Sequence, residues 1–387
     1  MDMKRILQEK QWRKSPEFIA AASAVIYGLA VHLFALNNVL HNHDNIASQP
    51  GGYGAGVALG RWFLEILGLF FDKVGLNYNL PSVNGMLYIG ILAITAAFLV
   101  SVLRVRNKVS AVLIGALFVA FPTVTATMIY RYTVIFYGIG TLFAVMAPWI
   151  LRRFRWGLPA SVVLIALSMG IYQAYAPLTI ALFVLQLICA GLREEADAGQ
   201  LVRQGLIDCL ALVLGLALYF LCMKLSVVFF HIPLTEYQGV STMGSASASN
   251  LPRLVLNAFR SVCLLPVRDY CGVANRALMR IAYLLLALCT AGMIGGMLLK
   301  KSRKPATSVI ICLLCIAFLL AVGFIEIMVP DGWVYTLMVY SFSLLACAPL
   351  AILECFHPED GNGICKTFCR KATTCLVAVL VCFYGYY

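Results

Sequence analysis

Eleven long apolar runs, separated by short charged segments, leave this chain few folds. In lipid, only helices and closed barrels satisfy the backbone's hydrogen-bonding groups. A barrel would show strands of about ten residues with alternating polarity. These runs are continuous, and most approach the ~20 residues that a helix needs to cross a bilayer. Charged residues make up 12% of the chain and apolar residues 62%, whereas a soluble domain carries about 25% charged residues. A water-soluble globule is excluded. The sequence predicts an all-α polytopic integral membrane protein with about 11 transmembrane helices, forming one domain over residues 1–387.

Basic residues set the orientation. Lys4 to Lys14, Arg104 to Lys108, Arg152 to Arg155, Arg193 with Arg203, Lys300 to Lys304 and Lys366 to Lys371 all fall on one side when the runs alternate. By the positive-inside rule that side is the cytoplasm, and the N-terminus lies there. The net charge of +12 is then topogenic and calls for no nucleic-acid partner. The first run, about 18–37, is long enough to stay as a span and is not a cleaved signal peptide. The chain stops at Tyr387 with no hydrophilic tail, which predicts truncation at the C-terminus.

Two exterior loops stand out, 38–83 and 231–279. In the first, Arg61, Glu65 and Asp72 share a face of a helical pattern over 56–72 that is otherwise apolar. That is the profile of a helix lying in the membrane interface, with Trp62 as its anchor. The second holds an amphipathic segment, about 251–262, with Arg253, Asn257 and Arg260 at helical spacing. The apolar stretch 157–191 is too long for one span and breaks at Gly170–Pro177. It predicts two short spans meeting at a tip recessed in the membrane. Most of the 14 cysteines lie in apolar runs as small hydrophobes. Cys263 and Cys271 share a loop, and free thiols are expected there rather than a disulfide.

The chemistry-bearing residues cluster on the exterior side. The polar run His41-Asn42-His43-Asp44-Asn45 follows the first span, with Gly60-Arg61-Trp62 a short way on. Exterior cations run against the topogenic trend: Arg61, Lys73, Arg131, Arg253, Arg260, Arg268 and Arg276. Six of these seven are arginines, whose planar fork suits phosphate better than lysine does. Plainer roles stand beside these. Asp44 can cap a loop helix, Arg61 can pair with Glu65 at i, i+4, and Tyr172-Gln173 can satisfy a helix break. His41, His43 and Asp44 offer metal-type donors, but two loop histidines at i, i+2 are more simply solvated. No metal or other cofactor is expected.

The runs Asn42-His43-Asp44-Asn45, Gly60-Arg61-Trp62 and Gly170-Ile171-Tyr172-Gln173-Ala174, in this order and on this side, resemble the bacterial type II O-antigen glucosyltransferase-like family. Long loops after spans 1 and 7 resemble the GT-C fold of membrane glycosyltransferases. The resemblance implies a GT-C-like bundle in the cytoplasmic (inner) membrane of a bacterium, with its active site on the exterior, periplasmic face. It also implies transfer of a hexose, glucose, from a polyprenyl-phosphate carrier to a surface polysaccharide or lipid-linked glycan. Such transfer needs a base for the acceptor hydroxyl. Asp44 is the first choice, with Glu65 and Glu236 in reserve. One carboxylate favours inversion over double displacement. Arg61 and Arg131, then Arg268, are candidates for the donor phosphate, and Tyr172 and Gln173 for the sugar pocket. The alternatives are a flippase or transporter of lipid-linked sugars, and a non-catalytic scaffold of polysaccharide assembly.

Overall fold

The structure is a computed structural model that describes residues 14–37, 55–76, 80–235, 249–299, 303–330, 332–356 and 363–386. The first helix, α1 (Pro16–Val31), starts at Ser15, whose hydroxyl accepts the Phe18 amide hydrogen at 3.2 Å, with Pro16 in the first turn. Both features are helix-start chemistry. Short α2 (Leu33–Asn37) and α3 (Ala55–Ala58) precede α4 (Trp62–Lys73). Then come α5 (Pro81–Leu103), α6 (Lys108–Ala120), α7 (Pro122–Thr127), α8 (Val134–Arg153) and α9 (Gly157–Ile171). A 3-10 turn, Gln173–Tyr175, joins α9 to α10 (Ala176–Leu192), and α11 (Ala198–Phe230) follows. The remainder comprises α12 (Leu251–Cys263), α13 (Ala277–Leu298), α14 (Pro305–Val322), α15 (Ile325–Met328), α16 (Leu344–Leu353) and α17 (Gly363–Tyr386).

The protein is all-α. Among the described residues, 8 helical segments are long and apolar enough to cross a membrane, and Pro16–Val31, Gly157–Ile171 and Tyr340–Leu353 are shorter apolar ones. These correspond one for one to the eleven apolar runs. α1 packs on α5 and α6, α5 on α8, α8 on α9, α9 on α11, α10 on α14, and α13 on α17. Small residues permit the closest approaches, as is usual between membrane helices. A Cβ at Gly115 of α6 would fall onto the Ala20 carbonyl of α1, and one at Gly28 would meet Val119 at 2.7 Å. Hydroxyls and one imidazole cross-link neighbours through backbone carbonyls. Ser23 donates to Val112 at 2.8 Å, Ser168 to Gly140 at 2.8 Å, Thr179 to Ala144 at 2.9 Å and Tyr340 to Phe118 at 2.7 Å. The His32 ring meets the Val119 carbonyl at 2.9 Å.

Several boundaries differ from expectation. The seventh apolar run reads in the sequence as a span over about 205–230, but α11 starts at Ala198 and runs 33 residues. A capping box sets that start: Asp197 accepts from the Gln200 amide at 2.9 Å, and Gln200 accepts from the Asp197 amide at 3.0 Å. The ninth apolar run reads in the sequence as a span over about 307–328, but α14 ends at Val322, with Gly323 as its C-cap at the place where α12 crosses at the Ala258 carbonyl. The tenth begins as two 3-10 turns, Thr336–Met338 and Tyr340–Ser343, and becomes α-helical only at Leu344. The α9–α10 tip is enclosed, with Tyr172, Gln173, Ala174 and Tyr175 all buried. Helices α4 and α12 form where amphipathic segments were expected. Trp62, however, is a core residue, 7% exposed and packed on Gly170, rather than an interfacial anchor. Outward on α4 stand Ile66 and Phe70 instead. Cys263 and Cys271 are free thiols.

The α1–α6 contact yields a paired prediction. Gly115→Ala forces the two backbones apart and should destabilise the protein by about 1–3 kcal/mol, lowering the thermal unfolding midpoint in detergent. Gly90→Ala, where a Cβ meets nothing within 4 Å, should leave the midpoint unchanged or raise it.

Candidate active site

The site is built on a tight turn. After α3 the chain reverses: the Gly60 amide donates to Val57 at 2.9 Å, and the Arg61 amide donates to Gly56 at 2.7 Å. Gly60 takes φ +70°, a left-handed conformation that glycine adopts without cost. Side chains from two other elements fasten the turn. Gln173 donates its amide nitrogen to the Leu59 carbonyl at 2.8 Å and to the Tyr219 hydroxyl at 3.0 Å. Tyr219, on α11, donates to the Gly60 carbonyl at 3.1 Å. A Cβ on Gly60 would lie 2.9 Å from both Gln173 Nε2 and the Tyr219 hydroxyl, so the position has neither the conformation nor the room for a side chain. The Thr235 amide donates to Ala58 at 2.9 Å, tying the residues after α11 to the same turn.

The turn aims Arg61 into an aromatic cluster. The guanidinium carbon lies 4.7 Å from the centre of the Tyr172 ring, a cation–π distance. Nη1 donates to the Tyr137 hydroxyl at 3.1 Å. Tyr137 packs edge-on against Tyr172 at 5.5 Å and Tyr130 at 6.0 Å, and Tyr172 packs against Tyr175 at 5.4 Å. Arg61 Nε is buried without a hydrogen-bond partner, and no carboxylate among the described residues forms an ion pair with Arg61. The i, i+4 partner allowed by the sequence, Glu65, instead accepts the Gly56 amide at 3.1 Å and is 1% exposed. Arg61 is therefore a mostly enclosed cation held by one ring and one phenol, with its charge unmatched by any carboxylate among the described residues.

The other expected residues are distributed differently. Arg131 is buried, donates to the Ala35 carbonyl, and lines a separate cavity of about 420 Å³ with Phe34, Pro122 and Thr336. Its own carbonyl accepts from Asn84 at 2.9 Å. Arg268 is exposed on the segment after α12. Tyr172 walls the Arg61 cluster, and Gln173 is committed to the turn beneath it. Asp44, with His41 and His43, lies outside the described residues, as does Glu236. Sequence reasoning passed over Tyr137 and Tyr219. A tyrosine in an apolar run needs a partner for its hydroxyl, and that requirement was the available signal. Glu326 is also engaged. It accepts from the Tyr270 hydroxyl at 2.6 Å, and burial together with this carboxylate pushes the Tyr270 phenol well above its usual range.

The model of the glucosyl transferase GtrII family matches residues 33–346, a stretch that includes the turn and the aromatic cluster. The chain belongs to this family. Glucosyl transfer is the activity that membership implies, with a sugar donor and a glycan acceptor in general terms. No curated protein and no solved structure matches the chain.

The turn gives a prediction for this GtrII-family fold. Gln173→Leu strands the Leu59 carbonyl and removes a donor from Tyr219, which should cost about 1–3 kcal/mol. Thermal unfolding of the purified variant measures this, and an unchanged midpoint would show that Gln173 does not fasten the turn.

Proposed function

We propose that this protein moves glucose from a polyprenyl-phosphate carrier to a surface polysaccharide or lipid-linked glycan, at the outer face of a bacterial cytoplasmic membrane. The observation that carries this is Arg61, a guanidinium enclosed by Tyr137 and Tyr172 and lacking any described carboxylate partner. Enclosing a cation costs desolvation energy that one ring and one phenol only partly recover. A phosphate completes the arrangement, because the planar fork donates two parallel hydrogen bonds to it.

The reaction follows from ordinary displacement chemistry. The acceptor hydroxyl oxygen attacks the anomeric carbon while Asp44 takes its proton. The bond from the anomeric carbon to the phosphate oxygen breaks, and its electron pair leaves on the lipid phosphate. Arg61 stabilises the charge that gathers there. A single base with in-line attack inverts the anomeric centre. The lipid phosphate is already an activated leaving group, so the step uses no cofactor. Tyr130, the half-buried ring of the cluster, offers a face on which a sugar ring packs. Glu236 remains the reserve carboxylate and Arg268 a secondary phosphate contact, while Glu65 is buried on the Gly56 amide and Arg131 lines a different cavity.

Transfer from a radiolabelled polyprenyl-phosphate glucose in membranes tests the proposal. Asp44→Asn should lower transfer by about 10²–10⁴-fold, and Arg61→Gln by about 10²–10³-fold, both at normal expression. Full activity in Asp44→Asn would remove that residue as the base. Translocation of the labelled lipid without transfer, indifferent to Asp44→Asn, would favour the flippase instead.

A further inference from the structure

A second cavity, of about 680 Å³, lies at the opposite end of the bundle. Tyr137 and Arg152 stand near opposite ends of α8, separated by roughly 22 Å of helical rise. Five arginines line this cavity: Arg104, Arg106, Arg152, Arg153 and Arg193. The carboxylates on its wall are Glu17 and Glu195. The positive-inside rule explains basic residues at this end, but it asks only for charge near helix ends. It does not ask that the charge converge on a cavity, nor that every cation lining it be arginine while Lys108 and Lys304 of the same helix ends stay outside it.

Three of the five arginines are fixed in place. Arg152 pairs with buried Asp208 at 2.5 Å, Arg104 with Glu195 at 2.6 Å, and Arg193 donates to the Leu103 carbonyl at 2.9 Å. Arg106 and Arg153 are exposed, with no ion-pair partner among the described residues. The result is a pre-set cationic wall with two unspent guanidiniums at its mouth. Gln186 adds a buried side-chain oxygen with no hydrogen-bond donor. Trp149 also lines the cavity, and Phe154 stacks on exposed Trp156 at 4.8 Å close by. Such aromatic groups mark the headgroup level of a bilayer.

We infer that this cavity is a binding site for the phosphate headgroup of an anionic membrane lipid. The arginines take the phosphate oxygens as charge-assisted donors, and Gln186 accepts from a headgroup hydroxyl. The lipid tails run along the outer surface of the bundle, where apolar side chains are exposed. This site is separate from Arg61 and does not depend on the proposed transfer reaction.

The test is native mass spectrometry of the purified protein with added phosphatidylglycerol, with phosphatidylcholine as the neutral comparison. Wild type should retain phosphatidylglycerol selectively. Arg106→Gln/Arg153→Gln, which alters two exposed cavity residues, should weaken retention about tenfold or more. Lys108→Gln/Arg155→Gln, which removes the same charge at the same end but outside the cavity, should leave retention unchanged. Equal loss in both double variants, or loss in neither, overturns the inference. Displacement of the lipid by millimolar inorganic phosphate, with the same dependence on Arg106 and Arg153, also overturns it by making the ligand a soluble anion.

Discussion

Polar groups inside this bundle have no bulk water to turn to, so each must find a partner within the protein. That constraint organises the packing. Ser23, Ser168, Thr179 and Tyr340 each reach a carbonyl on a neighbouring helix, and His32 does the same across the α1–α6 contact. Each bond is worth only about 1 kcal/mol. Their effect is positional, because they fix rotation and height between helices whose apolar faces would pack in many registers. Arg61 Nε is one of the buried polar atoms that find no such partner among the described residues. One ring and one phenol hold this guanidinium, and no carboxylate among the described residues matches its charge.

The site depends on elements far apart in sequence. The Gly56–Arg61 turn supplies the cation, the start of α8 supplies Tyr137, and the α9–α10 break supplies Tyr172 and Gln173. About two-thirds of the way along the longest helix, Tyr219 holds the turn itself. None of these segments makes a site alone. A shift of α11 along its axis would be felt first at Gly60 and then at the adjacent guanidinium.

Much of the fold was legible because hydrophobic length is a strong signal. Every apolar run became a helical segment, and the break at Gly170–Pro177 fell where glycine, polar residues and proline interrupt the run. Boundaries were weaker. Asp197 and Gln200 carried a capping signal that was overlooked, and Gly323 ends α14 because another helix crosses there, which no local pattern announces. Trp62 shows how composition misleads. A tryptophan beside an arginine suggests the interface, yet the absence of a side chain on Gly170 opens a slot for it in the core. At the site, Arg61 and Tyr172 were legible as residue types and came together. The geometry that joins them was not legible, since Tyr137 and Tyr219 sit in ordinary apolar runs and acquire meaning only through their hydroxyls. Gln173 was singled out correctly as unusual, and the structure commits its amide nitrogen to fastening the turn.

Helix α9 has 15 residues, which gives roughly 22 Å of rise against a hydrocarbon core of ~30 Å. Its neighbour α11 is more than twice as long. A bilayer meeting such unequal helices accommodates the mismatch by thinning beside the short one. The thinned side is the outward face of α9, where Val163 is exposed. Membrane thickness thereby becomes a variable of the protein itself. Lipids with shorter acyl chains relieve the deformation around α9, while longer chains increase it and press on the hairpin that carries Tyr172.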